Sequence, residues 1–99
     1  MPGQMIPTGI ATGAAGSIFV KEVVQAIGAG LRFALPVGTI YVYIVGADVR
    51  LQIQDSTLTW QNITAAGIIP GGVLISDGTN LACFNGGGGS ENITYIKVG

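Results

Sequence analysis

From Gly28 onward no stretch of the sequence holds an apolar period of 3.6 for the length of a helix. What recurs is period two, in short runs cut off by Gly, Pro or Asp. Residues 49–54 alternate cleanly, with Val49, Leu51 and Ile53 on one face and Arg50, Gln52 and Gln54 on the other. Residues 57–64 alternate again, with Leu58 and Trp60 against Thr57, Thr59, Gln61 and Ile63. Residues 39–45 (TIYVYIV) are β-branched or aromatic throughout and apolar on both faces, as in a strand covered on both sides. Shorter runs follow the same chemistry at 31–35, 73–76 and 80–84. A closing run, 91–98, sets Ile93, Tyr95 and Lys97 against Thr94, Ile96 and Val98. A parallel sheet needs crossover helices, and nothing after Gly28 has helical length and period. The pattern predicts an all-β fold: an antiparallel β-sandwich or barrel-like domain of seven to eight short strands.

The turns between these runs are equally legible. Pro36 stops the 31–35 run, Gly46-Ala47-Asp48 and Asp55-Ser56 turn the chain, and Pro70-Gly71-Gly72 marks a longer loop. Asp77-Gly78 is the strongest hairpin signal and predicts that 73–76 pairs with 80–84. Gly86 to Gly89 reads as a flexible loop. Residues 17–27 (SIFVKEVVQAI) fit a short amphipathic helix by spacing and a strand by β-branching; the strand-like character of the remaining chain tips the reading to strand. Residues 1–16, uncharged and rich in Gly, Ala, Thr and Pro, bury too little to fold alone and read as an extended N-terminal contact arm. Residues 17–99 then form one β-sandwich domain. Its expected core is Leu31, Phe33, Tyr41, Ile44, Val49, Leu51, Ile53, Leu58, Trp60, Leu74, Leu81 and Ile93.

Composition narrows function by exclusion. The chain has 99 residues, no histidine and one cysteine, so neither a Ser-His-Asp nor a Cys-His arrangement can be built within it, nor a His/Cys zinc site. A net charge of −1 gives no basic footprint for nucleic acid. The charge-free stretches 1–20 and 56–76 are too broken by Gly and Pro to read as membrane spans, and the first residues lack a cationic signal-peptide region. Only 9% of residues are charged while 48% are hydrophobic, against about 25% charged in an average soluble domain. Such a chain is expected to bury part of its surface on partners, as an obligate homo-oligomer or in a larger assembly.

Each candidate site has a plainer structural reading beside it. Gly86 to Ser90 lacks the lysine and following helix of a phosphate loop, and Gly28-Ala29-Gly30 lacks the third glycine of a dinucleotide fingerprint. Asp48, Asp55 and Asp77 sit at turns, where aspartate bonds its own backbone; a calcium site would need more oxygens. Asn62-Ile63-Thr64 and Asn92-Ile93-Thr94 match the glycosylation sequon. Cys83, inside an apolar strand, reads as a small buried hydrophobe. Trp60, Tyr41, Tyr43 and Tyr95 are either core residues or a stacking platform for sugar. No catalytic, cofactor-binding or metal residue is assigned.

The uncharged arm, the short strands, Ser76-Asp77-Gly78-Thr79-Asn80-Leu81 leading into Asn85, and the closing Asn92-Ile93-Thr94-Tyr95 together resemble the small all-β virion proteins of tailed bacteriophages, above all capsid decoration or cement proteins. The resemblance extends over residues 31–98. It implies a structural protein on the capsid surface, often trimeric, that bridges and stabilises neighbouring capsid subunits, with the major capsid protein or other virion subunits as partners. It implies no enzyme activity, no cofactor, and no nucleic-acid or membrane partner. A neck or tail component, and a receptor- or carbohydrate-binding module, are the alternatives.

Overall fold

The computed structural model describes residues 21–98. The expected arm, residues 1–16, lies outside the described residues. Eight strands form two antiparallel four-stranded sheets, and no helix occurs among the described residues. They are β1 (Glu22–Ile27), β2 (Arg32–Ala34), β3 (Gly38–Val45), β4 (Val49–Gln54), β5 (Trp60–Asn62), β6 (Leu74–Ser76), β7 (Leu81–Asn85) and β8 (Glu91–Lys97). The first sheet runs β1-β8-β3-β6 and the second β2-β7-β4-β5. The sandwich expected from the alternation is the fold, and the ambiguous segment at 17–27 contributes a strand, β1, where it is described.

Only β4 and β5 are joined as a local hairpin; every other connection carries the chain from one sheet to the other. This corrects the reading of Asp77-Gly78. The turn does not pair β6 with β7: β6 pairs with β3 and β7 with β2 and β4. Gly78 takes the left-handed φ of +85° that the Asp-Gly signal anticipates. Yet the Asp77 carboxylate accepts hydrogen bonds from the Thr79 and Asn80 amides, at 2.8 and 2.7 Å, and so shapes a step between sheets.

The inner faces meet in one core of Ile27, Leu35, Ile40, Val42, Val49, Leu51, Leu81, Cys83, Ile93 and Tyr95, with Val23, Phe33, Val45 and Leu74 packed against it. Of the expected core, Val49, Leu51, Leu81 and Ile93 are buried, Phe33 and Leu74 are half-buried against them, and Leu31, Tyr41, Ile44, Ile53 and Leu58 are exposed. The misses have identifiable causes. In β3, Ile40 and Val42 point inward and Tyr41 outward. A bulge at Tyr43 then restarts the alternation, so Ile44 faces out and Val45 in. Leu31 sits in the turn before β2, its amide bonded to Gly28. Leu58 lies in the β4–β5 turn with a φ of 64°, outside any strand. Ile53 opens onto a shallow depression of about 220 Å³ shared with Ile75, Ser76, Asp77, Asn80 and Leu81. Trp60 is paired with Gln54, which places it on the polar outer face of the second sheet.

Two buried polar side chains clip the sheets together, one toward each end of β7. Asn85 donates from Nδ2 to the Ile27 and Gly89 carbonyls, at 2.9 and 2.8 Å, and accepts at Oδ1 from the Gly87 amide. Ser76 Oγ donates to the Leu35 carbonyl at 2.9 Å, and the Leu35 amide donates to the Leu81 carbonyl. Every one of these buried side-chain polar atoms is therefore paired, as burial demands.

Candidate functional site

The sandwich exposes two outer sheet faces of opposite chemistry. On the second sheet, register places Arg32, Phe84 and Arg50 in one cross-strand row, Ala34, Ala82, Gln52 and Asn62 in the next, and Gln54 with Trp60 in the last. Arg32 starts in β2 and lies across β7, where the outward residue is the small Ala82. Its guanidinium carbon sits 4.8 Å from the Trp60 ring centroid and 4.9 Å from that of Phe84. Its Nε donates to Gln52 Oε1 at 2.8 Å, and Gln52 Nε2 donates on to Asn62 Oδ1 at 2.9 Å. A chain of polar contacts thus spans β2, β4 and β5 and holds the arginine in one orientation. Arg50 flanks Phe84 on its other side, and its Nε is enclosed without a hydrogen-bond partner. The strands of this sheet hold both arginines of the chain and no acidic residue.

On the first sheet, Val24, Thr94 and Ile44 form one row and Glu22, Ile96 and Tyr41 the next. Val24, Tyr41 and Ile44 are exposed, and Ile75 on the edge strand β6 is 85% exposed. Tyr43, two residues along the strand, stands beside Tyr41 with ring centroids 5.6 Å apart, and its hydroxyl donates to the Glu22 carboxylate. That hydrogen bond to an ionised acceptor pushes the Tyr43 phenol up to about 12.

The structure separates the four aromatics considered for a stacking platform. Tyr41 and Tyr43 share the first sheet's outer face, Trp60 lies on the second, and Tyr95 is buried beside Phe33 at 6.2 Å. Arg32, Phe84 and Gln52, absent from the sequence-level candidates, join Trp60 instead. Their meeting depends on which strands pair, and no local spacing encodes it.

The remaining candidates stay apart. Asp55 accepts from the Thr57 and Thr59 amides and the Thr57 hydroxyl, and its other oxygen from Gln61. These bonds, the Thr57 hydroxyl foremost, hold its carboxyl down at about 2. Asp77 is likewise lowered by the backbone amides of its turn. Asp48 packs beneath Gly87, where a Cβ would collide with its side chain, so the glycine loop is closed down on the β3–β4 turn. Among the described residues no group of three or more His, Cys, Asp or Glu side chains is placed to hold a metal. Burial pushes the Cys83 thiol up to about 12, far from a reactive thiolate. In the sequons, Asn62 is engaged by Gln52, while Asn92 lies within β8 ahead of the buried Ile93 and Thr94.

Comparison with protein-family models, with curated proteins and with solved structures found no match to this chain.

Proposed function

We propose that the chain is a structural virion protein of the capsid decoration or cement type. It self-associates, as a trimer, and bridges neighbouring subunits on the capsid surface. The supporting observation is the outer face of the first sheet, where Val24, Tyr41 and Ile44 stand exposed in adjacent rows and Ile75 extends the apolar surface to the edge. Exposed apolar side chains gathered on one sheet face favour cover by a partner. Low charge fits the same role, because a bridging subunit adds contact area and needs no reacting group. The proposal assigns no catalytic residue.

The carbohydrate-binding alternative draws less from the geometry. The rings it relies on are dispersed, and the Trp60 and Phe84 ring faces turned toward Arg32 are covered by its guanidinium.

Sedimentation of the full chain at micromolar concentration tests the proposal. The expected result is a trimer that Ile44→Asp converts to single chains, together with saturable attachment to purified capsids. A wild-type species of single-chain mass with no self-association overturns the oligomer.

A further inference from the structure

We propose that the outer face of the second sheet is a docking surface for a protein partner that presents clustered carboxylates. The inference rests on the reading of the chain as an assembly subunit and names the chemistry of a contact distinct from the tyrosine-bearing face. Three observations converge on it.

The first is charge. Both arginines of the chain fall on this sheet, and none of its strands carries an acidic residue. A chain with so few charges has placed two like charges on either side of one phenylalanine, Arg32 and Arg50 in the row of Phe84. The strands of this sheet supply no carboxylate to balance them, so the complementary charge must come from outside the sheet.

The second is preorganisation. Arg32 is fixed by two ring faces and by Gln52, which engages Nε and leaves the two terminal nitrogens, the pair that forks onto a carboxylate, outside that bond. The rotamer entropy that a long side chain normally loses on binding is already spent in the fold. Arg50 adds a second guanidinium-bearing side chain to the same face, in the row of Phe84.

The third is shape. The residues belong to paired, sheet-forming strands, and the described depression lined by Ile53 and Asp77 lies elsewhere. Small ligands and single sugars take concave sites. A sheet face bearing Arg, Trp and Phe has the composition of a protein-interface hot spot.

The experiment is a titration of the full chain with hexaglutamate peptide, read by the fluorescence of Trp60, the chain's one tryptophan. Hexaglutamine and hexagalacturonate are run in parallel. The expected result is a saturable response to hexaglutamate and none to hexaglutamine. Affinity should fall as salt rises from low to physiological ionic strength, and by at least about tenfold in Arg32→Ala. Arg32→Lys, which keeps the charge and loses the planar fork, should bind between the two, and Arg50→Gln supplies an independent loss should Arg32→Ala unfold. Absence of a hexaglutamate response, or a response unchanged in the Arg32 and Arg50 variants, overturns the inference. An equal or stronger response to hexagalacturonate overturns it in favour of an acidic saccharide. Loss of self-association by Arg32→Ala in sedimentation makes the occupant a second copy, and likewise overturns it. Sedimentation of the wild type reads the oligomer separately, so the two proposals fail independently.

Discussion

The two sheets share one core but face solvent with different chemistries. The first sheet presents Val24, Tyr41, Ile44 and Ile75, with a single phenol-to-carboxylate bond at Tyr43 and Glu22. The second presents Arg32 between Trp60 and Phe84, with Gln52 buried beneath it and bonded on to the exposed Asn62. An apolar face contributes area without direction and is insensitive to salt; a fixed guanidinium contributes direction and responds to salt. A domain this small can therefore make two non-equivalent contacts, one on each side, while the inner faces carry its stability.

That division is testable by substitution, beginning inside. Leu51→Ala in the second sheet and Ile93→Ala in the first each empty a fully buried site and should cost about 2–5 kcal/mol in chemical denaturation. Similar costs with one transition mark a single cooperative core. A cost below about 1 kcal/mol at either position would mean the sheets do not share one.

Next comes the joint between the sheets. Asn85→Ala removes two donated bonds and one accepted bond at a fully buried position. It leaves the Ile27 carbonyl only the longer bond from the Ser90 hydroxyl, at 3.5 Å, and should cost about 2–3 kcal/mol. Asn85→Asp should not rescue it, because the carboxylate cannot donate to the Ile27 and Gly89 carbonyls. A rescue would locate the clip elsewhere.

Outside the core the expected costs shrink. Trp60 is half-buried on the arginine face, and Trp60→Ala should cost about 1–2 kcal/mol, short of a core tryptophan. Ile44→Ser on the other face should change the stability of the single chain by no more than about 0.5 kcal/mol while weakening self-association. A core-sized loss at Trp60 would make the arginine face part of the fold's support rather than a contact.

These outer positions are where the sequence was hardest to read. Alternation in 49–54 gave β4 with its inner Val49 and Leu51 correctly, because one strand's period two is a local property. The face of β5 was not local: with Trp60 opposite Gln54, the large ring joins the polar row. The bulge at Tyr43 has no signature in TIYVYIV, and it alone decides that Ile44 is outside. Asp77-Gly78 announced a turn but not that it steps between sheets, since the strand each run joins is set by long-range pairing. The Arg32 cluster draws residues from all four strands of the second sheet, so it becomes visible only once their order is known.

The last tests lie in pH, where each sheet has its own reporter. In the turn that joins β4 to β5, Asp55 titrates at about 2 in the folded chain against an ordinary 3.8. A lowered carboxyl pKa favours the fold above the unfolded value, and that contribution disappears as pH falls from near 4 toward 2. On the first sheet, Tyr43 stays protonated to about 12 against an ordinary 10.0. Between these values the unfolded chain has released a proton that the fold retains, so stability falls as pH rises. Cys83, raised from 9.0 to about 12 by burial, acts in the same direction and starts lower. Thermal melts across pH should show both limbs. Asp55→Asn should flatten the acid limb and leave the alkaline one, and Glu22→Gln should flatten the part of the alkaline limb above pH 10 and leave the acid one. An acid limb unchanged in Asp55→Asn would place the titrating carboxyl elsewhere, with Asp77, also lowered by its own turn, the next to substitute. An alkaline limb unchanged in Glu22→Gln but removed by Cys83→Ala would show that the core thiol, and not the tyrosine face, sets the upper boundary of the fold.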